Sequence, residues 1–229
     1  MNYCNKLNAL VIGATGAVGR ELIDILIDSE KWISITIVTR RLIDRWEKIK
    51  DDKKSKLIFI QEKDLEFINN NTEELKNKFT KTYYSTVFCC IGSNLKGGKE
   101  EYYKIHYTYI SYISDFCEKM DIPQLSLVSG MGADSNSLFF YPKTKGQSEE
   151  NIMNKNIKQV SIFRPGMLIN RDNDYRFIET FMYYIPFLPK ISAIDVAKVL
   201  INEATDYHLN KKTSEHKIYY HKEMLLTLK

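Results

Sequence analysis

Apolar residues fall in short blocks along the chain, and the blocks alternate between a nearly continuous pattern and a helical one. Leu7 to Ile12 (Leu-Asn-Ala-Leu-Val-Ile) runs into glycine, as a strand buried on both faces of a parallel sheet would. Gly13-Ala14-Thr15-Gly16-Ala17-Val18-Gly19 follows, and Glu21 to Ile27 then carries Leu22, Ile23 and Leu26 at helical spacing. Ile33 to Val38, Leu57 to Ile60, Thr86 to Ile91, Leu125 to Val128 and Val160 to Phe163 are further strand-like runs, each ending where polar residues or glycine begin. Between them, Glu100 to Met120 predicts a long helix with Tyr102, Ile105, Tyr109, Ile113, Phe116 and Met120 on one face, closed by Pro123. Thr144 to Lys155 and Ile194 to Ala204 predict two more helices. Asp51 to Lys56 and Asn69 to Lys78 read as surface loop or exposed helix.

Strands alternating with helices imply right-handed crossovers and a parallel sheet covered on both faces. The expected fold is therefore α/β, one Rossmann-type doubly wound sheet. With 229 residues the chain has room for one such domain, residues 1–229, and residues 167–190 form a small substrate or lid segment within it.

Glycines at positions 13, 16 and 19 stand between a buried strand and a helix start. Three glycines at this spacing arise by chance in roughly 2% of chains with this glycine content, before that context is required. The spacing leaves peptide N–H groups bare at the positive end of a helix, where a pyrophosphate can approach the backbone. In the NAD version of this turn a carboxylate at the end of the second strand binds the ribose hydroxyls. Here Val38 is followed by Thr39-Arg40-Arg41, and two guanidinium groups suit a 2′-phosphate, so NADP(H) is the expected cofactor.

Tyr141-x-x-x-Lys145 lies downstream of the fifth strand, with Ser129 just past that strand's end. Roughly 1.7 such tyrosine–lysine spacings are expected by chance, and Tyr207 to Lys211 is a second, but only the first follows a strand that could bring a serine to the same cleft. Hydride addition to a carbonyl needs a proton donor at the oxygen, and a free phenol, with a pKa near 10, is a poor one at neutral pH. An ammonium about 4 Å away contributes on the order of 4 kcal/mol, roughly three pKa units. Pro142 disfavours helical dihedrals at Tyr141 and allows that residue to sit at the helix N-cap.

Composition and charge narrow the choice further. A chain 44% hydrophobic and 27% charged, with 10 Gly and 5 Pro, is not collagen-like, a disulfide scaffold or disordered. The net charge of +4 is spread along the chain, so nucleic acid is not favoured; an RNA-binding reading rests only on that mild basicity and on 15 tyrosines. No apolar run reaches the roughly 18 residues of a membrane span, and Phe177 to Leu188 is broken by Glu179 and Pro186. Cys4, Cys89, Cys90 and Cys117 follow no signal-peptide pattern and contain no Cys-x-x-Cys, which reads as reduced thiols in a cytosolic protein. Cys89 and Cys90 point to opposite strand faces and read as core. His106, His208, His216 and His221 form no zinc pattern, and no metal is expected.

Five blocks together resemble the short-chain dehydrogenase/reductase superfamily, in its atypical branch with the Tat-interacting-protein-like oxidoreductases. They are Gly13 to Arg20, Val87 to Ser93, Leu127 to Asp134, Phe140 to Gly146 and Phe163 to Gly166. The resemblance implies that Ser129 holds the substrate carbonyl, Tyr141 is the acid/base and Lys145 holds the nicotinamide ribose. It implies that Thr15, Ala17, Val18, Arg40, Asp64, Cys90, Ile91 and Gly92 line the cofactor, with Asp64 near the adenine and Pro165 and Gly166 flanking the nicotinamide. His106 stands where many members carry an asparagine in the long helix, which puts that proton relay in doubt and reads as packing or surface. The expected activity is hydride transfer to or from the carbonyl or alcohol carbon of a small molecule. The aromatics Tyr175, Phe177, Phe181, Tyr183, Tyr184 and Phe187 suggest an apolar pocket for it. A regulatory or scaffold protein that binds NADP(H) and a protein partner is the alternative, and the choice between monomer and dimer is open.

Overall fold

The computed structural model describes residues 6–69, 78–79, 82–93, 97–169, 189–210 and 215–228. Its centre is a seven-stranded parallel sheet. The strands are β1 (Leu7–Ile12), β2 (Trp32–Thr39), β3 (Leu57–Gln61), β4 (Thr86–Cys89), β5 (Gln124–Val128), β6 (Gln159–Arg164) and, after two short strands outside this sheet, β9 (Lys217–Tyr220). Their order across the sheet is β3-β2-β1-β4-β5-β6-β9. The order reverses between β1 and β4, so a crevice opens where their C-terminal ends part, the position at which doubly wound folds bind ligands.

Side chains alternate across the sheet because successive strand residues point to opposite faces. Three short helices, α2 (Asp44–Glu47), α3 (Asp51–Lys54) and α4 (Glu66–Asn69), belong to the connections around β3. Ala9, Val11, Phe88 and Phe163 join one core with the longer helices α1 (Ala17–Asp28) and α8 (Ala193–Leu209). Leu10, Ile12, Val87, Cys89 and Ile162 join the other. Two further elements cover that second core: the long helix made of α5 (Gly98–Tyr103) and α6 (Tyr109–Lys119), and α7 (Phe140–Met153). Cys89 is buried in the second core and Cys90 packs against the first, so neighbouring thiols are split by the strand; both they and Cys117 are free. Cys4 lies outside the described residues.

The helix predicted over Glu100 to Met120 departs from its expected face. Lys104–Thr108 forms a π turn between α5 and α6, and the inserted residue shifts the helical phase. Tyr102, His106, Ile110 and Ile113 turn inward, whereas Ile105 and Tyr109, expected on the core face, are only partly buried. α7 also begins earlier than Thr144, and β7 (Met167–Ile169) and β8 (Lys190–Ser192) form an unexpected two-stranded parallel sheet. These two short strands flank residues 170–188, so most of the substrate segment lies outside the described residues. Residues 70–77, in the second of the polar stretches, lie outside them too. Among the described residues no helix is long and apolar enough to cross a membrane.

Polar side chains at the N-terminal ends of β4, β5 and β6 form one buried network at the edge opposite the crevice. Gln124 donates from Nε2 to Glu203 (2.9 Å), and Ser161 donates to the same carboxylate (2.9 Å). Thr86 gives its hydroxyl proton to Gln124 at 2.8 Å, which leaves His208 Nε2, 2.9 Å from the Thr86 oxygen, as the donor to it. Burial pushes the His208 imidazole down to about 4. The unfolded chain therefore takes up this proton first; the stability it contributes is complete above a pH of about 6.5 and is lost as the pH falls toward about 4. Circular-dichroism melts should show the thermal midpoint dropping from about pH 6.5 to about pH 5, and His208→Gln, which keeps a donor, should flatten that part of the profile.

Candidate functional site

β1 enters the crevice through a turn that only glycine can make. Gly13 sits at φ +88°, and a Cβ there would lie 2.5 Å from the carbonyl carbon of Cys90 and from the nitrogen of Ile91. A Cβ on Gly19 would lie 2.3 Å from the Gly13 oxygen, so helix α1 packs directly on the turn. Gly16 is exposed and is the N-cap of α1; its N–H donates to the Gly13 oxygen at 3.1 Å. No side chain caps this helix and its first turn holds no acid, so the first N–H groups, at Ala17, Val18 and Gly19, have no intrahelical partner. Thr15 lies on the turn itself. Bare amides at a positive helix end, with no side-chain cap, fit a pyrophosphate.

The ends of the neighbouring strands complete the rim. After β2, the Thr39 hydroxyl donates to the Arg41 carbonyl (2.7 Å) and accepts from the Arg41 N–H (3.3 Å), which fixes the backbone while Arg40 and Arg41 stay exposed. Among the described residues neither guanidinium is drawn into an ion pair. Arg45 nearby is bound by Asp24 and Glu21. Asp64, just past β3, accepts the N–H of Glu66 at 2.9 Å. Cys90, Ile91 and Gly92 leave β4 against the glycine turn, with the Cys90 N–H on the Ile12 oxygen (2.8 Å). Burial pushes the Cys89 thiol up to about 12 and the Cys90 thiol upward as well, so neither is a thiolate nucleophile at neutral pH.

Pro165 and Gly166 leave β6, and the Pro165 carbonyl accepts from Met131 N–H at 3.0 Å. Gly166 donates its N–H to His221 Nδ1 at 3.1 Å, and a Cβ on Gly166 would lie 2.2 Å from the Pro189 oxygen. His221 escaped the sequence reading because nothing in local spacing joins it to a residue so far upstream.

Helix α7 carries the remaining groups. Its N-cap is Phe139, so Tyr141 lies within the first turn rather than at the cap, and Pro142 is tolerated there because first-turn N–H groups have no helical acceptor. Tyr141, Lys145 and Glu149 then follow at four-residue steps along one face. The Lys145 side chain runs along Gly130, where a Cβ would lie 3.6 Å from Nζ.

Ser129 is placed differently from its expected position. Its hydroxyl donates to Glu149, whose carboxylate also takes Arg164 Nε at 3.0 and 3.2 Å and Arg164 Nη2. Glu149 lies two helical turns, about 12 Å of rise, beyond Tyr141. The structure thus gathers Tyr141 and Lys145 on one face and ties Ser129 to the far end of it, with its only proton already given away.

Behind Tyr141 stands a stack of rings. Tyr102, wholly buried, lies 4.3 Å from the Tyr141 ring at 28° and 4.1 Å from His106 on its other side. His106 is buried, and its Nε2 accepts the Ser93 N–H at 3.0 Å. Tyr102 was legible only as core, and Glu149 only as the next four-residue step after Lys145.

The class defined by this crevice is matched by comparison with known proteins. A family described as NAD(P)H-binding matches residues 13–207, and the chain belongs to that family, among the atypical short-chain dehydrogenase/reductases. "Protein FMP52, mitochondrial" of Candida albicans is 32% identical over 165 residues, covering 71% of this chain and 68% of that protein. "Protein HTATIP2" of Rattus norvegicus is 22% identical over 163 residues, covering 71% and 63%. Among solved structures, ElxO with NADP bound superposes with a TM-score of 0.69 at 14% identity, covering 96% of this chain and 99% of that one. MoeE5 with UDP-glucuronic acid and NAD gives 0.66 at 16%, covering 93% and 75%. At such identities these structures establish the fold.

The relatives correct one expectation. The cytosolic assignment rested on reduced cysteines, yet the FMP52 relatives, those of Debaryomyces hansenii and Candida albicans among them, are named mitochondrial. Reduced thiols suit any reducing compartment and do not choose among them.

The Glu149–Arg164 pair is almost fully withdrawn from water, with side chains 3% and 16% exposed. Glu149→Ala, which strands the Arg164 charge, should lower unfolding stability in urea by about 3–5 kcal/mol. Ser129→Ala, which removes one hydroxyl bond to the buried carboxylate, should cost about 1.5–3 kcal/mol and leave NADPH affinity unchanged by calorimetry.

Proposed function

We propose that this protein is an NADP(H)-dependent oxidoreductase acting at the carbonyl or alcohol carbon of a small apolar molecule. The observation that carries this reading is the Tyr141–Lys145 face of α7, set beside a crevice rimmed by the glycine turn and the free amides of Ala17, Val18 and Gly19. In this reading the nucleotide pyrophosphate rests on the N–H groups of the turn and of Ala17 and Val18, Thr15 faces it, and Asp64 borders the adenine. Cys90, Ile91 and Gly92 form the wall beneath the cofactor, and Pro165 and Gly166 flank its nicotinamide. The bound nucleotide supplies or accepts the hydride. Tyr141 donates the proton to the carbonyl oxygen or removes it from the alcohol. Lys145 holds the ribose and presents its positive charge to the phenol oxygen. Ser129 acts from behind α7 as an anchor for Glu149.

The preference for the 2′-phosphate rests on Arg40 and Arg41, which follow β2 where the NAD version of this turn carries a carboxylate. Replacing both by alanine should weaken NADPH binding about 10- to 100-fold in calorimetry and leave NADH nearly unaffected. Equal loss for both nucleotides would remove the preference.

A second reading, a nucleotide-loaded scaffold for a protein partner with little turnover, is favoured by one observation: the Ser129 hydroxyl is committed to Glu149. NADPH offered with a panel of aldehydes, ketones and quinones separates the two, since binding without consumption supports the scaffold. With a substrate so identified, Tyr141→Phe should reduce turnover about 100-fold or more while NADPH affinity is retained. Full turnover in that variant would remove Tyr141 from the chemistry.

A further inference from the structure

Tyr102 carries a buried group that the reading above leaves unused. The residue is wholly enclosed, and its hydroxyl has no hydrogen-bond partner among the described residues. A buried hydroxyl left unsatisfied is unusual enough in folded proteins to require an explanation. Its ring is clamped between Tyr141 at 4.3 Å and His106 at 4.1 Å, and the Ser93 N–H bond to His106 holds the outer member of the stack. The π turn at Lys104–Thr108 brings His106 inward to close this clamp. The stack sets the Tyr102 phenol beside that of Tyr141, and that neighbour helps push Tyr102 ionisation upward.

We infer that Tyr102 is a positioning residue for Tyr141: its neutral phenol donates a hydrogen bond to the Tyr141 oxygen once that oxygen has lost its proton. This rests on the assignment of Tyr141 as the acid/base. In the reducing direction the Tyr141 O–H bond breaks and the proton goes to the carbonyl oxygen of a substrate whose carbon takes the hydride. Tyr141 is left as a phenolate, which regains a proton from solvent. Tyr102 keeps its own proton throughout and shares it with the neighbouring oxygen, the part that Ser129, bound to Glu149, does not play. Burial, and then the nearby Tyr141, push Tyr102 ionisation upward, so this phenol is a donor and not a second acid.

The test is a pH titration of the nucleotide-free, full-length protein labelled with 13C at tyrosine Cζ, the Tyr141 resonance being identified by its loss in Tyr141→Phe. Tyr102→Phe keeps the ring stack and removes only the hydroxyl. It should move the Tyr141 midpoint upward by about one pH unit, a tenfold change in the proton equilibrium. An unchanged or lowered midpoint overturns the inference. In the unmodified protein the Tyr102 resonance should hold its neutral position while Tyr141 titrates, and Tyr102 ionising first overturns it equally. NADPH calorimetry on the same samples keeps the two ideas apart. Failure of the nucleotide to bind sinks the oxidoreductase reading, and the titration still decides whether the two phenols are coupled.

Discussion

The crevice depends on backbones that touch with no side chain between them. The Gly13 turn lies against the Cys90–Ile91 peptide, and α1 lies against the Gly13 carbonyl through Gly19, at separations that would not admit a methyl group. That double contact brings the end of β1 and the end of β4 to the same depth. It also leaves the first turn of α1 facing outward with free amides. Everything at the nucleotide end of the site follows from it, because an anion seat made of peptide N–H groups works only if the ligand can reach the main chain.

The other half of the site is organised by buried charge. Arg164 and Glu149 satisfy one another almost out of contact with water, and Arg164 also lies over the Tyr220 ring at 5.4 Å. Such a pair is weak evidence for net stability, but it is sensitive to the loss of either member. Here it sets an orientation. It joins the end of β6 to the middle of α7 and recruits the Ser129 hydroxyl from the end of β5, so the helix bearing Tyr141 and Lys145 is held against two strands at once. The serine hydroxyl is thereby committed to Glu149. The polar network around Glu203 has the same logic at the opposite edge of the sheet, where it closes the strand starts.

The fold was legible because its signals are local. Leu7–Ile12 places residues in both cores, and such a strand has to be apolar on both faces. The glycine turn announced itself by spacing and context. What stayed hidden was what depends on phase or distance. The π turn inside the long helix cannot be read from periodicity, and it exchanges Ile105 and Tyr109 for His106 and Ile110 on the inner face. Lys217–Tyr220 is too short a run between polar residues to declare itself a strand, yet pairing with β6 makes it one.

The amino-acid sequence by itself determined the strand–turn–helix order, the glycine seat, the two arginines beyond β2 and the tyrosine and lysine one helical turn apart, since each is written in residues close together along the chain. Only the tertiary structure decided which way Ser129 gives its proton, that Tyr102 stands behind Tyr141, and that His221 holds Gly166. Those pairings join residues from separate elements, and a hydroxyl or an imidazole takes its role from whatever packing sets within hydrogen-bonding reach.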